Sequence, residues 1–111
     1  MEERIPSHVW IMAQVRRCNA DGLPAMVIRR GERMSGLVML KLNLLNGEAR
    51  VLTQQRDLDG RLAWLEALGE GPVAESEADA YIDRSTQRDP DVWVVEVETR
   101  SGENPFEGKL I

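Results

Sequence analysis

The 111-residue sequence is poor in the side chains from which covalent and metal sites are built. It contains one cysteine, Cys18, and one histidine, His8. No intramolecular disulfide can form, which fits a reducing compartment, and a zinc site made of several thiolates is excluded. We therefore expect no catalytic residue, no metal and no cofactor. Cys18 is interpreted as a small buried hydrophobic residue.

The sequence also lacks a long hydrophobic run. The apolar stretch Val9–Ala13 is short, and two arginines follow it closely. A signal peptide has a basic start and a longer apolar segment, and a membrane helix needs about 20 apolar residues. The sequence thus predicts a cytoplasmic protein without membrane contact. Its length predicts one domain over residues 1–111, with 1–6 and 101–111 as loose termini.

Basic charge is scarce in the second half of the chain. The net charge is -5, but residues 1–56 hold nine basic and five acidic side chains, and residues 57–111 hold five basic and fourteen acidic ones. Folding either interleaves the two halves over the surface or sets a basic surface against an acidic one. We expect no nucleic-acid partner, because the overall charge is negative and no aromatics alternate with the basic residues.

Two segments have the pattern of amphipathic helices. Ser7 is typical of a helix N-cap, and Ile11, Val15 and Cys18 follow at helical spacing. This predicts a helix over about 7–21, although alternation over 8–15 also fits a strand. A second helix is predicted over 74–87, where acidic residues come early and basic ones late and Asp89-Pro90-Asp91 ends the pattern.

The remaining segments favour strands. We predict strands over 25–30, 37–45, 48–54 and 92–99, while 61–68 fits either a strand or a short helix. Asn46-Gly47 predicts a tight type I′ hairpin. Gly31 and Gly36 indicate a hairpin turn, since Leu37 and Val38 follow instead of the Lys and Ser/Thr of a phosphate loop. The predicted fold is α+β, an antiparallel sheet of four to five strands packed on one face against two helices.

Three short stretches together resemble a known family. They are Arg29-Arg30-Gly31, the run from Gly36 through Lys41-Leu42-Asn43 to Asn46-Gly47, and Asp89-Pro90-Asp91-Val92-Trp93 with Glu96. In this order and spacing, over about residues 7–100, the chain resembles the DUF1491 family of short alphaproteobacterial proteins. The resemblance implies an uncharacterised bacterial protein and no established activity, cofactor or catalytic residue.

The densest basic cluster is the candidate site. Arg29, Arg30 and Arg33 lie within five residues at the predicted hairpin tip. Guanidinium groups bind phosphates and carboxylates in bidentate geometry, so these residues form a candidate anion-binding site. The alternative is that they are solvated, or paired with Glu32 and the acidic second half.

Other chemically capable residues have structural interpretations. The carboxylates of Asp89, Asp91, Glu96 and Glu98 are interpreted as a turn and a solvated strand face, rather than as an acid–base pair or a metal site. The tryptophans at 10, 64 and 93 are predicted core residues, with exposure as a binding anchor as the alternative. Trp93, Val95 and Val97 are predicted to point into the core.

Two functions follow. The first is a non-catalytic protein-interaction or regulatory module. It would bind a protein partner or a second copy of itself, because two helices on one face would leave Leu37 and Met39 uncovered. The second is a small-molecule or anion-binding protein, or an enzyme, that uses the arginine-rich hairpin at residues 29, 30 and 33. A concave pocket with convergent arginines would favour the second.

Overall fold

The computed structural model describes residues 5–111 and contains two helices and seven strands. In chain order the elements are α1 (Ser7–Ala20), β1 (Ala25–Arg29), β2 (Val38–Asn43), β3 (Glu48–Arg56), β4 (Leu62–Glu66), β5 (Val73–Ala74), α2 (Glu75–Arg88), β6 (Trp93–Glu98) and β7 (Lys109–Leu110). Both predicted helices are confirmed to within two residues at each end. The ambiguous segment 61–68 contains a strand.

The strands form one mixed sheet in the order β1-β6-β2-β3-β4-β7, and the short β5 pairs with β3. The pairs β2–β6 and β4–β7 are parallel and the others are antiparallel. The α+β class is confirmed, but the expected antiparallel sheet of four to five strands is wrong, since the sheet is larger and mixed. A parallel pair needs a long crossover rather than a local turn, so no short sequence signal marks the β2–β6 pair.

The two helices lie on opposite faces of the sheet. Residues Ile11, Val15 and Cys18 of α1 pack on one side with Leu40. Ala78 and Ile82 of α2 pack on the other side with Met39, Val51 and Val94. The expectation that both helices cover one face is therefore wrong. Because β2 is buried on both faces, it has the nearly continuous apolar sequence of a central strand.

This arrangement removes one argument for self-association. The sequence pattern predicts an uncovered Met39, but this residue is only 4% exposed and lies under α2. Leu37 precedes β2 and is exposed. No bare apolar sheet face remains at β2 among the described residues.

The predicted core strand is confirmed. Trp93, Val95 and Val97 are buried on the α1 side, and Val94 is buried on the α2 side. Trp64 is fully buried as well, and Trp10 is partly buried against the same core.

The hairpin between β2 and β3 is confirmed, but its turn is longer than the predicted type I′ turn. Pairing runs to Asn43 and Ala49, and Leu44 N–H donates to the Glu48 carbonyl at 3.0 Å. Positive φ occurs at Leu45 (63°) and Gly47 (88°). A type I′ turn would give Asn46 a positive φ, but it is not among the residues with positive φ. Its side-chain Oδ1 instead accepts the Glu48 N–H at 3.0 Å and forms an Asx turn.

One lysine is buried at the centre of the sheet. Lys41 Nζ lies 2.7 Å from Glu75 Oε2 and 2.7 Å from Asp79 Oδ1, with Glu96 3.9 Å away, so it ties the start of α2 to β2. Burial by itself lowers the pKa of Lys41, but the hydrogen bonds to Asp79 and Glu75 and the charge of Glu96 outweigh it, and the pKa is raised. These contacts therefore stabilise the fold below the ordinary lysine pKa, and their contribution is lost as the pH rises through the raised pKa.

The segment after β6 packs against the α1 side, which differs from the expected loose terminus over 101–111. The Phe106 ring is 4% exposed and meets the Trp10 and Trp64 rings edge-to-face. Trp64 Nε1 donates to the Glu107 carbonyl at 2.8 Å. The turn-forming residues of this segment allow the chain to fold back, and Phe106 fills space beside α1. The expected loose N-terminus falls largely on residues 1–4, which lie outside the described residues.

Candidate functional site

Residues 30–37, called the strap below, connect β1 to β2 across the start of β6. Since β6 lies between β1 and β2, the hairpin predicted around Gly31 does not form. Glu32 N–H donates to the Asp91 carbonyl at 2.9 Å, and Trp93 Nε1 donates to the Glu32 carbonyl at 2.7 Å. Trp93 N–H donates to the Leu37 carbonyl at 2.9 Å. Hydrogen bonds thus hold the strap against the start of β6, and the strap does not form a hairpin turn.

Both glycines of the strap allow its backbone to lie very close to the backbone of Asp91. A Cβ built on Gly31 would lie 2.2 Å from the Asp91 carbonyl oxygen, and one on Gly36 would lie 2.4 Å from the same atom. Only glycine leaves room for this contact. The glycine spacing and the Asp-Pro-Asp-Val-Trp stretch therefore belong to a single tertiary contact.

The three candidate arginines do not form one cluster. Arg29 Nη1 donates to the carbonyls of Pro90 and Val92, both at 3.1 Å. Arg33 Nη2 lies 3.3 Å from His8 Nε2, and Arg30 is exposed. Arg29 and Arg30 border a groove of about 540 Å³ between α1 and β1, called the β1 groove below, and Arg33 is not among its lining residues.

Glu32 does not neutralise these arginines among the described residues. Its carboxylate accepts the N–H groups of Met34 and Ser35 and the Ser35 hydroxyl, at 2.7–3.0 Å. Hydrogen bonds from Ser35 lower the pKa of this carboxyl group. Glu32 therefore shapes the turn of the strap.

The outer edge of β1 is protected. Asn19 Oδ1 accepts the Ala25 N–H at 2.9 Å, and Asn19 Nδ2 donates to the Ala25 carbonyl at 3.1 Å. An irregularity in the pairing with β6 between Val27 and Arg29 interrupts the strand further along. Capped and bulged edges resist the addition of a further strand.

A second concavity, called the α1 cleft below, has a volume of about 490 Å³. It lies on the α1 side, where the start of α1, the strap and the β3–β4 hairpin meet. Phe106 fills the space nearer the middle of the sheet, between Trp10 and Trp64. The apolar wall of the cleft comes from Trp10, Ile11 and Leu62.

Two polar side chains on β3 project into the α1 cleft. Gln54 is only 7% exposed, and its Oε1 accepts the Val38 N–H at 3.1 Å. This contact fixes the orientation of the amide, and the Nε2 donors have no acceptor among the described residues. Arg56 Nη1 donates to the Gly60 carbonyl at 2.7 Å, and no other described residue accepts from its guanidinium. The cleft therefore presents unused donors beside an apolar wall.

The rim of the α1 cleft is apolar and open to solvent. The exposed fractions are 60% for Ile5, 62% for Met34 and 46% for Leu37. Leu58, in the adjacent β3–β4 turn, is fully exposed. Three segments distant in sequence build this surface, so no local pattern predicts it. The one local signal is that Gln54 and Arg56 continue the strand face on which Leu52 is buried.

Cys18 and the carboxylates of Asp89, Asp91 and Glu96 do not belong to the lining residues of the α1 cleft or the β1 groove. Burial raises the pKa of the Cys18 thiol, and Cys18 lies in the core. Asp89 and Asp91 are exposed, and Glu96 accepts a hydrogen bond from Asn43 at 2.9 Å. Within residues 5–111, no three His, Cys, Asp or Glu side chains are grouped to hold a metal ion. None of the helices over that range has the length and apolarity to cross a bilayer.

Comparison with known proteins places the chain. The family model described as "Protein of unknown function (DUF1491)" matches residues 5–107. The chain belongs to the DUF1491 family. The resemblance carried by the strap, β2 and the start of β6 is thus confirmed. A comparison with curated proteins finds no match.

Solved structures of this family share the fold. A crystal structure of a DUF1491 family protein from Caulobacter crescentus is 30% identical, with a TM-score of 0.85, covering 97% of this chain and 100% of that one. An NMR structure of a DUF1491 protein from the same organism is 30% identical, with a TM-score of 0.82 and 99% coverage of both chains. The solution structure of Atu0922 from A. tumefaciens is 25% identical, with a TM-score of 0.72 and 87% coverage of both.

Proposed function

We propose that this DUF1491 protein is a non-catalytic interaction module that binds a segment of a partner protein in the α1 cleft. The observation that carries the proposal is the combination of a cleft with three large exposed hydrophobic side chains at its rim, Ile5, Met34 and Leu37. A volume of about 490 Å³ lies in the range of side-chain and ligand pockets. Apolar surface around such a pocket is typical of a protein contact.

The alternative binding surfaces are less suitable. Both faces of β2 are covered by helices, and Asn19 caps the β1 edge. Exposed Met26 and Ile28 lie along β1, but the pairing irregularity there disfavours a flat docked strand. The α1 cleft is therefore the surface that combines concavity with exposed apolar area.

The side chains of the α1 cleft support a binding role rather than a catalytic one. The polar residues that line it are Ser7, Ser35, Gln54, Arg56 and Asp59. His8 and Cys18 are not among its lining residues. Groups of this kind orient and hold a ligand, and their donors suit a polar anchor next to an apolar contact.

The double substitution Met34→Asp, Leu37→Asp is expected to weaken partner binding at least about tenfold, because two charges would be desolvated at the apolar rim. The partner is first captured by cross-linking in a lysate of the source organism. It is then purified and titrated by calorimetry against the native protein and the variant.

The matched control is Met26→Asp, Ile28→Asp, which adds the same charges at the exposed apolar residues of β1. This control is expected to bind the partner like the native protein. Equal affinity of all three proteins, or equal loss in both variants, would contradict the assignment of the α1 cleft. Sedimentation of each protein reports self-association, and a second copy of this chain in place of a partner would also contradict it.

The β1 groove supports a second candidate function, anion binding. Arg29 and Arg30 both border it, and the carbonyls of Pro90 and Val92 hold the Arg29 guanidinium in one position. Arg33 would contribute from the strap beside His8. Pre-positioned guanidinium groups favour phosphate or carboxylate ligands.

Anion binding at the β1 groove is expected to fall steeply with salt, because exposed charges are screened over about 10 Å at 0.1 M. Calorimetry with nucleotides, inorganic phosphate and acidic peptides measures it, with Arg30→Ala, Arg33→Ala as the test variant. Arg84→Ala, Arg88→Ala on α2 is the matched control. Absence of any bound anion, or affinity unchanged in the test variant, would eliminate this function.

A further inference from the structure

We infer that the α1 cleft recognises the C-terminal carboxylate of a partner chain whose last residue is apolar. The inference rests on the proposed function, because it names the chemistry of the segment that the cleft binds. It is carried by the unused donors of Gln54 and Arg56 beside the apolar wall formed by Trp10, Ile11 and Leu62.

Gln54 is the central observation. The residue is more than nine-tenths buried, and its Oε1 is occupied by the Val38 N–H, so that its NH₂ group faces the cleft. This NH₂ group has no acceptor among the described residues, and it is open to the cleft rather than sealed in the core. A ligand that brings an acceptor to this position can therefore replace water there as the hydrogen-bond partner.

Arg56 makes the preferred acceptor a carboxylate. It lies two residues after Gln54 on the same face of β3, about 7 Å further along the strand. Its guanidinium donates to the Gly60 carbonyl and has further N–H groups available. A carboxylate offers only acceptors and a negative charge, so it matches the amide donor and the guanidinium that line the same cleft.

The apolar wall identifies the source of the carboxylate. In a chain-terminal residue, the carboxylate and the side chain are attached to the same Cα, so both enter one cleft together. In an internal Asp or Glu, the side chain itself carries the carboxylate, so a different residue would have to supply the apolar contact with the wall. The close placement of Gln54 beside Ile11 and Leu62 therefore fits a terminal leucine or a similar residue.

Asp59 sets a further preference. This residue also lines the cleft, and its negative charge disfavours a second one nearby. The ligand carboxylate is thus expected at the Gln54 side. The residues that precede the terminal one are expected to be neutral or basic.

The test uses pairs of short neutral peptides that end in leucine, one with a free carboxylate and one with a C-terminal amide. Calorimetry measures affinity, and the emission of Trp10 reports occupation of the cleft. The free acid is expected to bind about tenfold or more tightly than the amide, since hydrogen bonds to a charged group exceed neutral ones. A third peptide, with an internal glutamate and an amidated end, is expected to bind no better than the amide.

Three variants assign the effect to the two side chains. Arg56→Gln is expected to remove the difference between acid and amide. Gln54→Glu keeps the acceptor for Val38 N–H but loses the NH₂ group, and is expected to abolish binding of the acid. Arg61→Gln is the matched control, because this exposed arginine lies in the same hairpin outside the cleft lining. Thermal melting confirms that each variant is folded.

The outcomes separate this inference from the proposed function. Equal affinity for acid and amide, or discrimination that survives Arg56→Gln, would overturn carboxylate recognition. If no peptide binds while the captured partner still depends on Met34 and Leu37, the cleft is an interaction surface and the inference is wrong. If the partner does not depend on those residues, the proposed function itself fails.

Discussion

Replacing Trp93 with alanine is expected to lower the free energy of unfolding by about 3–5 kcal/mol. The side chain is 3% exposed and belongs to the core between α1 and the sheet. The substitution removes the ring and also the indole donor to the Glu32 carbonyl. Because small domains are stable by about 5–15 kcal/mol, a loss of this size removes a large part of the stability of the fold. Urea denaturation followed by circular dichroism measures the loss.

The control variant Trp93→Phe separates packing from hydrogen bonding. Phenylalanine retains most of the ring contact but removes the indole donor, so that the Glu32 carbonyl keeps only the longer hydrogen bond from Gly36 N–H at 3.2 Å. Its cost is expected to be smaller, about 1–3 kcal/mol. An alanine variant as stable as the native protein would show that Trp93 does not belong to the core.

Replacing Gly31 with alanine is expected to cost about 3 kcal/mol, although only one methyl group is added. The new Cβ would meet three backbone atoms of Asp91 and Val92, at 2.2–2.8 Å. Backbone cannot yield as a side chain does, so the strap would have to lift away from β6. That movement would break the hydrogen bond from Glu32 N–H to the Asp91 carbonyl. Chemical denaturation measures the change.

Gly47→Ala is the matched control, because a Cβ at Gly47 meets nothing within 4 Å but its φ is +88°. Its cost is expected to be about 1–2 kcal/mol, which is the price of a left-handed backbone at a residue with a side chain. A Gly31→Ala variant no less stable than Gly47→Ala would contradict the close crossing of the strap over β6.

Local structure could be predicted because its signals are local. The spacing of Ile11, Val15 and Cys18 predicted α1, and apolar residues on both faces of the segment around Val94 predicted a strand inside the sheet. The partners of that strand could not be predicted, since Val38 and Trp93 pair across more than fifty residues. For the same reason the two glycines of the strap resembled turn residues, whereas the structure uses them for close approach.

The candidate site was predictable only in part. The density of arginines predicts an anion-binding site at residues 29, 30 and 33, but it does not show that the backbone carbonyls of Pro90 and Val92 hold Arg29. The α1 cleft depends on Trp10, Met34 and Gln54, which belong to three separate segments. Each looks unremarkable within its own segment. The site exists only in the tertiary arrangement.

The place of β6 in the sheet has a kinetic consequence. During synthesis β1 and β2 emerge early, but the strand that joins them begins only at Trp93. Until then the edges of β1 and β2 that pair with β6 are open, and the strap lacks the Asp91 carbonyl that accepts the Glu32 N–H. Folding dominated by such distant contacts is slow, and incomplete chains expose strand edges that promote aggregation. We therefore expect the nascent chain to complete its sheet only after β6 has left the ribosome, more than fifty residues after β2.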